Sequence, residues 1–146
     1  MAIKQDGSLD LEIMKLIASL IPDDKYKFAL GTGKPEDIVN CHKMGWQIFD
    51  CVIPTRDARH GRLYSIENIA ERKELSHSNI NKLLNKYYIK KAIYKKDFTF
   101  LDSDLPYTKA YLHHLLKIKD QSYANIASLN NLNTYNKIID ILSKAS

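Results

Sequence analysis

The chain of 146 residues contains little that would cross-link it, export it or anchor it in a membrane. Its two cysteines, Cys41 and Cys51, form neither a disulfide framework nor the spacing of a zinc quartet. No apolar run approaches the roughly 18–20 residues that a membrane span needs. The N-terminus lacks the charged-then-apolar order of a secretion signal. These absences predict a reducing compartment, a cytoplasmic location and no membrane partner.

Arginine is scarce and unevenly placed. Of the 22 basic Lys and Arg residues only four are arginine, and three of these, Arg56, Arg59 and Arg62, lie close together. The formal net charge of +5 is by itself compatible with an ordinary lysine-rich surface. A guanidinium, however, fits phosphates and base edges better than an ammonium group does. The cluster therefore indicates either a polyanion site or a plain basic loop.

Hydrophobic periodicity predicts an α/β fold. The expected elements are a helix over 9–21 capped by Ser8, a strand over 26–30, a helix from Pro35 to about Met44, and a strand over 46–53. Because this second strand is almost continuously apolar, we expect it to be buried on both faces, as in a parallel sheet. Helices are also expected over 107–117 and 136–144, and the Asn- and Lys-rich stretch 65–91 is expected to form a lysine-rich helix or a mobile insertion.

Asp50 interrupts the apolar run of the second predicted strand. A carboxylate within a buried strand is costly unless it is paired or neutralised. It could cap a turn or pair with an arginine in the core. Alternatively, it lies at the carboxyl end of a parallel strand, where α/β folds place their chemistry. The arginines a few residues further on favour a site.

The segment Gly31-Thr32-Gly33-Lys34-Pro35 is a glycine-rich turn before a predicted helix. It matches neither the phosphate loop of nucleotide-binding proteins nor the dinucleotide fingerprint. A lysine at a helix N-terminus favours an anion. A simple strand-to-helix turn explains the segment equally well, so both interpretations stay open.

Two strings of residues carry a family resemblance. They are Gly31-Thr32-Gly33-Lys34-Pro35-Glu36-Asp37-Ile38 and Phe49-Asp50-Cys51-Val52-Ile53-Pro54-Thr55-Arg56-Asp57-Ala58-Arg59-His60-Gly61, with weaker matches over 97–102, 107–115 and 131–132. Together they resemble the tRNA-guanine transglycosylases, also called queuine tRNA-ribosyltransferases. The similarity covers nearly the whole chain except residues 65–86, which have the character of an insertion that the family lacks.

The resemblance implies a function and a set of site residues. The family is a TIM barrel that exchanges guanine at the wobble position of certain tRNAs for a deazaguanine base. The resemblance implies that Asp50 is the nucleophile. Its carboxylate would attack C1′ of the ribose and form a covalent RNA–enzyme intermediate, as carboxylates do with sugars in retaining glycosidases. It also implies a set of residues that contact the tRNA anticodon loop: Gly31, Thr32, Gly33, Lys34, Pro35, Glu36, Asp37, Thr55, Arg56, Asp57, Ala58 and Arg59.

The chain is too short for a whole member of this family, because a TIM barrel needs roughly 250 residues. The resemblance covers only the last third, so the expected fold class is α/β, the last two strands of the barrel with a helical C-terminal appendage. The expected division is 1–64 for the barrel units, 65–91 for the insertion and 92–146 for the appendage. The family's second aspartate and its guanine-reading groups lie on earlier strands, and nothing in this chain matches them.

The structural zinc site of the family is also unmatched. Its Cys-x-Cys-x-x-Cys segment is missing between Asp102 and Tyr107, and Asn130 stands where its histidine is expected. His113 and His114 do not replace it, because neighbouring side chains on a helix diverge by about 100°. No metal ligands and no cofactor are therefore predicted.

Three hypotheses follow from these departures. The chain is part of a split transglycosylase that is inactive alone and is completed by a second chain or by a homo-oligomer. Alternatively, it is a non-catalytic module that binds tRNA or another RNA, or it is the product of a decaying gene.

Overall fold

Short strands alternate with helices in the residues that the structure, a computed structural model, describes: 2–66, 84–102 and 105–144. In chain order the elements are α1 (Leu11–Leu20), β1 (Phe28–Leu30), α2 (Pro35–Lys43), β2 (Ile48–Asp50), α3 (Ile53–Arg59), β3 (Arg62–Ile66), β4 (Leu84–Tyr88), a 3-10 helix (Ala92–Lys96), β5 (Phe100–Asp102), β6 (Leu105–Thr108), α4 (Lys109–Lys117) and α5 (Gln121–Lys144). The chain is thus mixed α/β with a long C-terminal helix. Within the described ranges, no helix is long and apolar enough to cross a membrane.

The first half contains a parallel pair of strands joined by a helix. Strand β1 pairs with β2, so that Phe28 lies opposite Ile48 and Leu30 lies opposite Asp50. The crossover helix α2 begins at Pro35, as predicted, with Glu36 in its first turn. Proline fits there because the first helical N–H groups have no intrahelical acceptor. An acidic side chain also complements the positive end of the helix.

The prediction for the second strand was wrong in length and in burial. Strand β2 ends at Asp50, and Ile48 is 43% exposed. Phe28 and Leu30 of β1 are 46% and 60% exposed as well, so one face of this two-stranded sheet is left uncovered. The apolar residues that follow do not extend the strand. Ile53 begins α3, so the arginines predicted to lie in a loop lie on a short helix and on the strand after it.

Strands β3 and β4 form an antiparallel pair that brackets the Asn- and Lys-rich stretch. Arg62 lies opposite Tyr88, and Ile66 lies opposite Leu84. Within the 65–91 segment, residues 65–66 and 84–88 are therefore strand and not the lysine-rich helix that was one of the two expectations. The other expectation, a mobile insertion, stays a prediction. Residues 67–83 lie outside the described residues. The division of the chain into three domains stays a prediction.

Helix α5 forms the centre of the packing against α2, α3 and β3. It is much longer than the predicted segment 136–144, and the first half, which the prediction missed, buries Asn130 and Asn131 besides Tyr123 and Ala127. Helix α4 begins at Lys109 rather than at 107. Helix α1 begins at Leu11, because the carboxylate of Asp10, and not Ser8, accepts hydrogen bonds from the N–H groups of Glu12 and Ile13.

Candidate functional site

A cavity of about 370 Å³ lies at the carboxyl ends of the parallel strands β1 and β2. It brings together the two strings of residues that carry the family resemblance. Its lining consists of Ile3, Gly7, Leu9, Gly31, Thr32, Gly33, Lys34, Asp37, Asp50, Cys51, Val52, Ile53 and Arg56. The cavity thus places a carboxylate from the end of β2 in the same space as two cations, Lys34 and Arg56.

Asp50 lies on the uncovered face of the parallel sheet. Side chains alternate between the faces of a strand, and residues paired in register share a face. Ala29, at 2% exposed, faces the core, whereas Leu30 and its partner Asp50 face outwards. Among the described residues no ion pair involves Asp50. Its carboxylate therefore points into open space at the mouth of the cavity and is not held as a core ion pair.

Burial of Thr32 leaves a polar atom at the cavity without a partner. The side chain is 2% exposed, and its Oγ1 has no hydrogen-bond partner among the described residues. A buried hydroxyl without a partner is costly. Because Thr32 lines the cavity, a ligand with a polar group could satisfy this atom.

The glycine-rich turn is held from the far side by α5. The hydroxyl of Tyr135 donates a hydrogen bond of 2.8 Å to the carbonyl oxygen of Gly33. Burial raises the pKa of Tyr135, so this hydroxyl stays protonated and remains a donor. The position of the turn therefore depends on a residue more than one hundred positions away.

Gly33 also packs against Cys51, the residue after Asp50. A Cβ atom at position 33 would lie 2.1 Å from the Sγ atom of Cys51. Cys51 is half-buried, and burial raises the pKa of its thiol, which keeps the thiol protonated. This close approach fixes the glycine turn against the strand that carries Asp50.

We expect Gly33→Ala to lower the free energy of unfolding by about 3 kcal/mol, because a new methyl group has no space beside Cys51. Urea denaturation measures this change. Cys51→Gly removes the atoms that clash, so the double variant should recover part of the loss. A stability of the single variant equal to that of the parent chain would show that the turn and β2 are not in contact.

Asp57 organises the arginine-bearing helix α3 rather than facing the cavity. Its carboxylate is 6% exposed and accepts a hydrogen bond of 2.6 Å from the hydroxyl of Tyr64. The guanidinium of Arg62 lies 3.1 Å away and that of Arg56 lies 3.4 Å away. Burial raises the pKa of Tyr64, and Asp57 raises it further. The network leaves Arg56 half exposed at the cavity, with its guanidinium oriented by Asp57.

Asn131 on α5 holds the two ends of the arginine segment, a role that the sequence analysis missed. Its Nδ2 donates to the carbonyl oxygens of Pro54 and Arg62, at 2.9 and 3.0 Å. Its Oδ1 accepts from the backbone N–H of Tyr64 at 3.0 Å. Asn131 is fully buried. A polar residue in the middle of a helix, where asparagine is intrinsically unfavourable, was the available signal.

The remaining predicted site residues are spread around this centre. Glu36 pairs with Lys86 of β4. Desolvation acts to raise the pKa of Glu36, but the hydrogen bond from Lys86 acts in the opposite direction, and the pKa is lowered overall. Burial raises the pKa of Asp37. Pro35 and Ala58 are buried. The hydroxyl of Thr55 donates a hydrogen bond to the carbonyl oxygen of Val52. Arg59 is exposed and does not line the cavity.

The residues at the expected zinc position do not fit a zinc ion. Asn130 is 1% exposed, and its Nδ2 donates to the carbonyl oxygen of Tyr64 at 2.8 Å. Zinc sites are built from thiolate, imidazole and carboxylate ligands. Both cysteines lie elsewhere, Cys41 on α2 and Cys51 after β2. Within the described part of the chain, no cluster of three such residues is placed to hold a metal.

The fold and the cavity define a class of α/β protein whose candidate site lies where two parallel strands end. Comparisons with known proteins then identify the family. Residues 3–145 match the family model described as queuine tRNA-ribosyltransferase. The chain is 35% identical to the queuine tRNA-ribosyltransferase of Helicobacter pylori over 95% of its own length and 34% of that protein. It is 34% identical to the Tolumonas auensis protein of the same name, over 91% of this chain and 33% of that protein.

The chain therefore belongs to the queuine tRNA-ribosyltransferase family, as the resemblance predicted. It spans about a third of the length of the curated relatives that it matches.

Proposed function

We propose that this chain supplies the nucleophile and part of the RNA-contacting surface of a tRNA-guanine transglycosylase site, and that it exchanges bases only when the rest of the fold is present. The observation that carries the proposal is the shared cavity, in which Asp50, the glycine turn and Arg56 meet. A carboxylate suits attack at C1′, because it can bond to an oxocarbenium-like centre and later leave it. The leaving guanine departs with the electron pair of its glycosidic bond, and the incoming base later displaces Asp50.

The cationic groups of the cavity suit the backbone of the substrate. Lys34 and Arg56 offer a charge and a planar fork for phosphates. A nucleotide that reacts at its sugar must leave its stack, and cations hold its phosphates meanwhile. The anticodon loop of tRNA is the partner that this arrangement and the family support.

The uncovered face of the sheet supports a TIM-barrel origin and a missing partner. Phe28, Leu30 and Ile48 are 46%, 60% and 43% exposed and lie on the same face as Asp50. Such a face normally packs against further strands, and a two-stranded sheet is marginal without them. We infer that the missing strands, supplied by a second chain, cover this face and surround Asp50.

The alternative is an RNA-binding module without catalysis. The observation that favours it is that the arginine network around Asp57 is complete within this chain and does not involve Asp50. This alternative predicts RNA binding that depends on salt, as phosphate contacts do, without base exchange in any assembly.

The experiment that tests the proposal is completion of the fold in trans. The chain is co-expressed with the unmatched two thirds of the Helicobacter pylori relative, and incorporation of labelled guanine into tRNA is measured. We expect exchange with both parts and none with either part alone. A stable complex that binds tRNA without exchange would contradict the proposal and support the alternative.

We further propose that this chain folds without zinc. We expect the purified chain to contain no stoichiometric zinc, and its melting temperature to be unchanged by a strong chelator, because Asn130 bonds to the backbone instead of to a metal. Elemental analysis and a thermal melt measure this. Stoichiometric zinc, with a melting temperature that falls on chelation, would contradict the proposal, because a structural zinc contributes directly to folding.

A further inference from the structure

A second cavity of about 240 Å³ adjoins the first one. Lys34, Ile53 and Arg56 line both cavities, so they form the wall between them. The rest of the second lining comes from α2, α3 and the β3–β4 pair: Pro35, Glu36, Asp57, Arg62, Tyr64, Lys86 and Tyr88. Of these, Arg62, Tyr64, Lys86 and Tyr88 lie outside the strings that carry the family resemblance.

The second cavity is cationic, and its acidic groups are already paired. Four cations and two carboxylates line it. Glu36 pairs with Lys86, and Asp57 pairs with Arg62 and Arg56. Since both carboxylates are neutralised by neighbours, the remaining positive charge is available to an anionic ligand.

Tyr88 gives this cavity a flat aromatic surface. Its side chain is 46% exposed, so part of the ring is open to solvent. The register of β3 and β4 sets Arg62 opposite Tyr88, and the guanidinium carbon lies 5.0 Å from the ring centroid. Asp57 holds the same guanidinium by an ion pair of 3.1 Å. The Nζ of Lys91 also lies over this ring, 5.5 Å from its centroid, so two cations cover part of the ring. The guanidinium and the part of the ring that stays exposed form a platform on which a planar group can stack.

We propose that this platform stacks the base of a nucleotide next to the reacting one, while Lys34 and Arg56 hold the phosphate that joins the two nucleotides. The inference rests on the proposed function and extends it to a second subsite. Aromatic rings and guanidinium planes are the surfaces on which unpaired RNA bases stack. An acidic peptide would use the cations but would gain nothing from the flat ring. The two cavities share the cations of their common wall, and this fits a strand that passes from one cavity to the other.

The test uses the completed assembly and two RNA hairpins, each with a single guanine in the loop. A fluorescent adenine analogue, whose emission falls when it stacks, replaces the nucleotide on the 5′ side of that guanine in one probe and on the 3′ side in the other. We expect quenching of one probe and not of the other. Tyr88→Ala should abolish the quenching and weaken binding about tenfold, in line with the loss of one stacked base. Tyr88→Phe, which keeps the aromatic ring, should keep both the quenching and the affinity.

Tyr111 offers a matched control, because it is 44% exposed and lines neither cavity. Tyr111→Ala should leave the affinity and the quenching as they are. Unchanged affinity and quenching in Tyr88→Ala, or quenching of neither probe, would overturn the subsite. Base exchange that continues in that case would leave the proposed function standing. Hairpin binding with normal quenching but without exchange would overturn the proposed function and leave the subsite.

Discussion

Asp50→Asn is expected to stop base exchange in the completed assembly, with a rate loss of roughly a thousandfold or more, as when an enzymatic nucleophile is removed. The amide has the shape of the carboxylate but cannot form the glycosyl ester. Incorporation of labelled guanine into tRNA measures the effect. Binding of tRNA should persist or tighten slightly, because one negative charge near the phosphates is lost. Asp50 is exposed and outside the described ion pairs, so the fold should not depend on it.

Two further variants test whether Asp50 is the nucleophile. Asp24→Asn, which removes an exposed carboxylate paired with Lys25, should leave exchange unchanged. Asp37 is the other carboxylate of the cavity. If Asp37→Asn stopped exchange while Asp50→Asn did not, the assignment of the nucleophile would be wrong.

Asn131→Ala is expected to destabilise the chain by about 3–5 kcal/mol, because it removes three hydrogen bonds to buried backbone groups. These groups are the carbonyl oxygens of Pro54 and Arg62 and the N–H of Tyr64. A loss of this size is a large fraction of the stability of an ordinary domain. It should lower the melting temperature by about 10 °C or more, and chemical denaturation gives the free energy directly.

The control for Asn131 lies on the same helix. Asn136 is exposed on α5, so Asn136→Ala should change the stability by less than about 0.5 kcal/mol. Equal effects of the two substitutions would show that helix propensity, and not the hydrogen bonds of Asn131, sets the stability of this region. That outcome would contradict the claim that α5 holds the arginine-bearing segment in place.

Local chemistry made some elements predictable. Helix α2 begins at Pro35 with acidic residues in its first turn, and both signals act within a few residues. The parallel pairing of β1 with β2 follows from a helix between two short apolar strands. These features depend on neighbours in sequence, which a single sequence displays.

The structure around the arginines was not predictable in the same way. Val52 and Ile53 continue an apolar run, but Ile53-Pro54 starts a helix, because proline at the first turn fits α3 and cannot extend a strand ladder. Hydrophobic periodicity also missed the first half of α5. The middle of α5 buries Asn130, Asn131 and Thr134, whose side chains bond to backbone groups of other elements, and these polar positions interrupt the apolar pattern.

The candidate site was predicted from residue types and from the family strings, but its supports were not. Asp50, Lys34 and Arg56 lie on one cavity, as a shared site requires. Tyr135, Asn131 and Tyr64, which hold the turn and the arginine helix, come from distant parts of the chain. Contacts of that kind depend on the tertiary fold, and no local pattern displays them.

The covalent intermediate tests the central claim most directly. The completed assembly is denatured during exchange on tRNA, digested, and examined by mass spectrometry for a peptide that carries a ribose-linked RNA fragment. The account predicts that the modified peptide contains Asp50 and that it is absent from the Asp50→Asn variant. RNA attached to another residue, or exchange that proceeds without any covalent adduct, would contradict it.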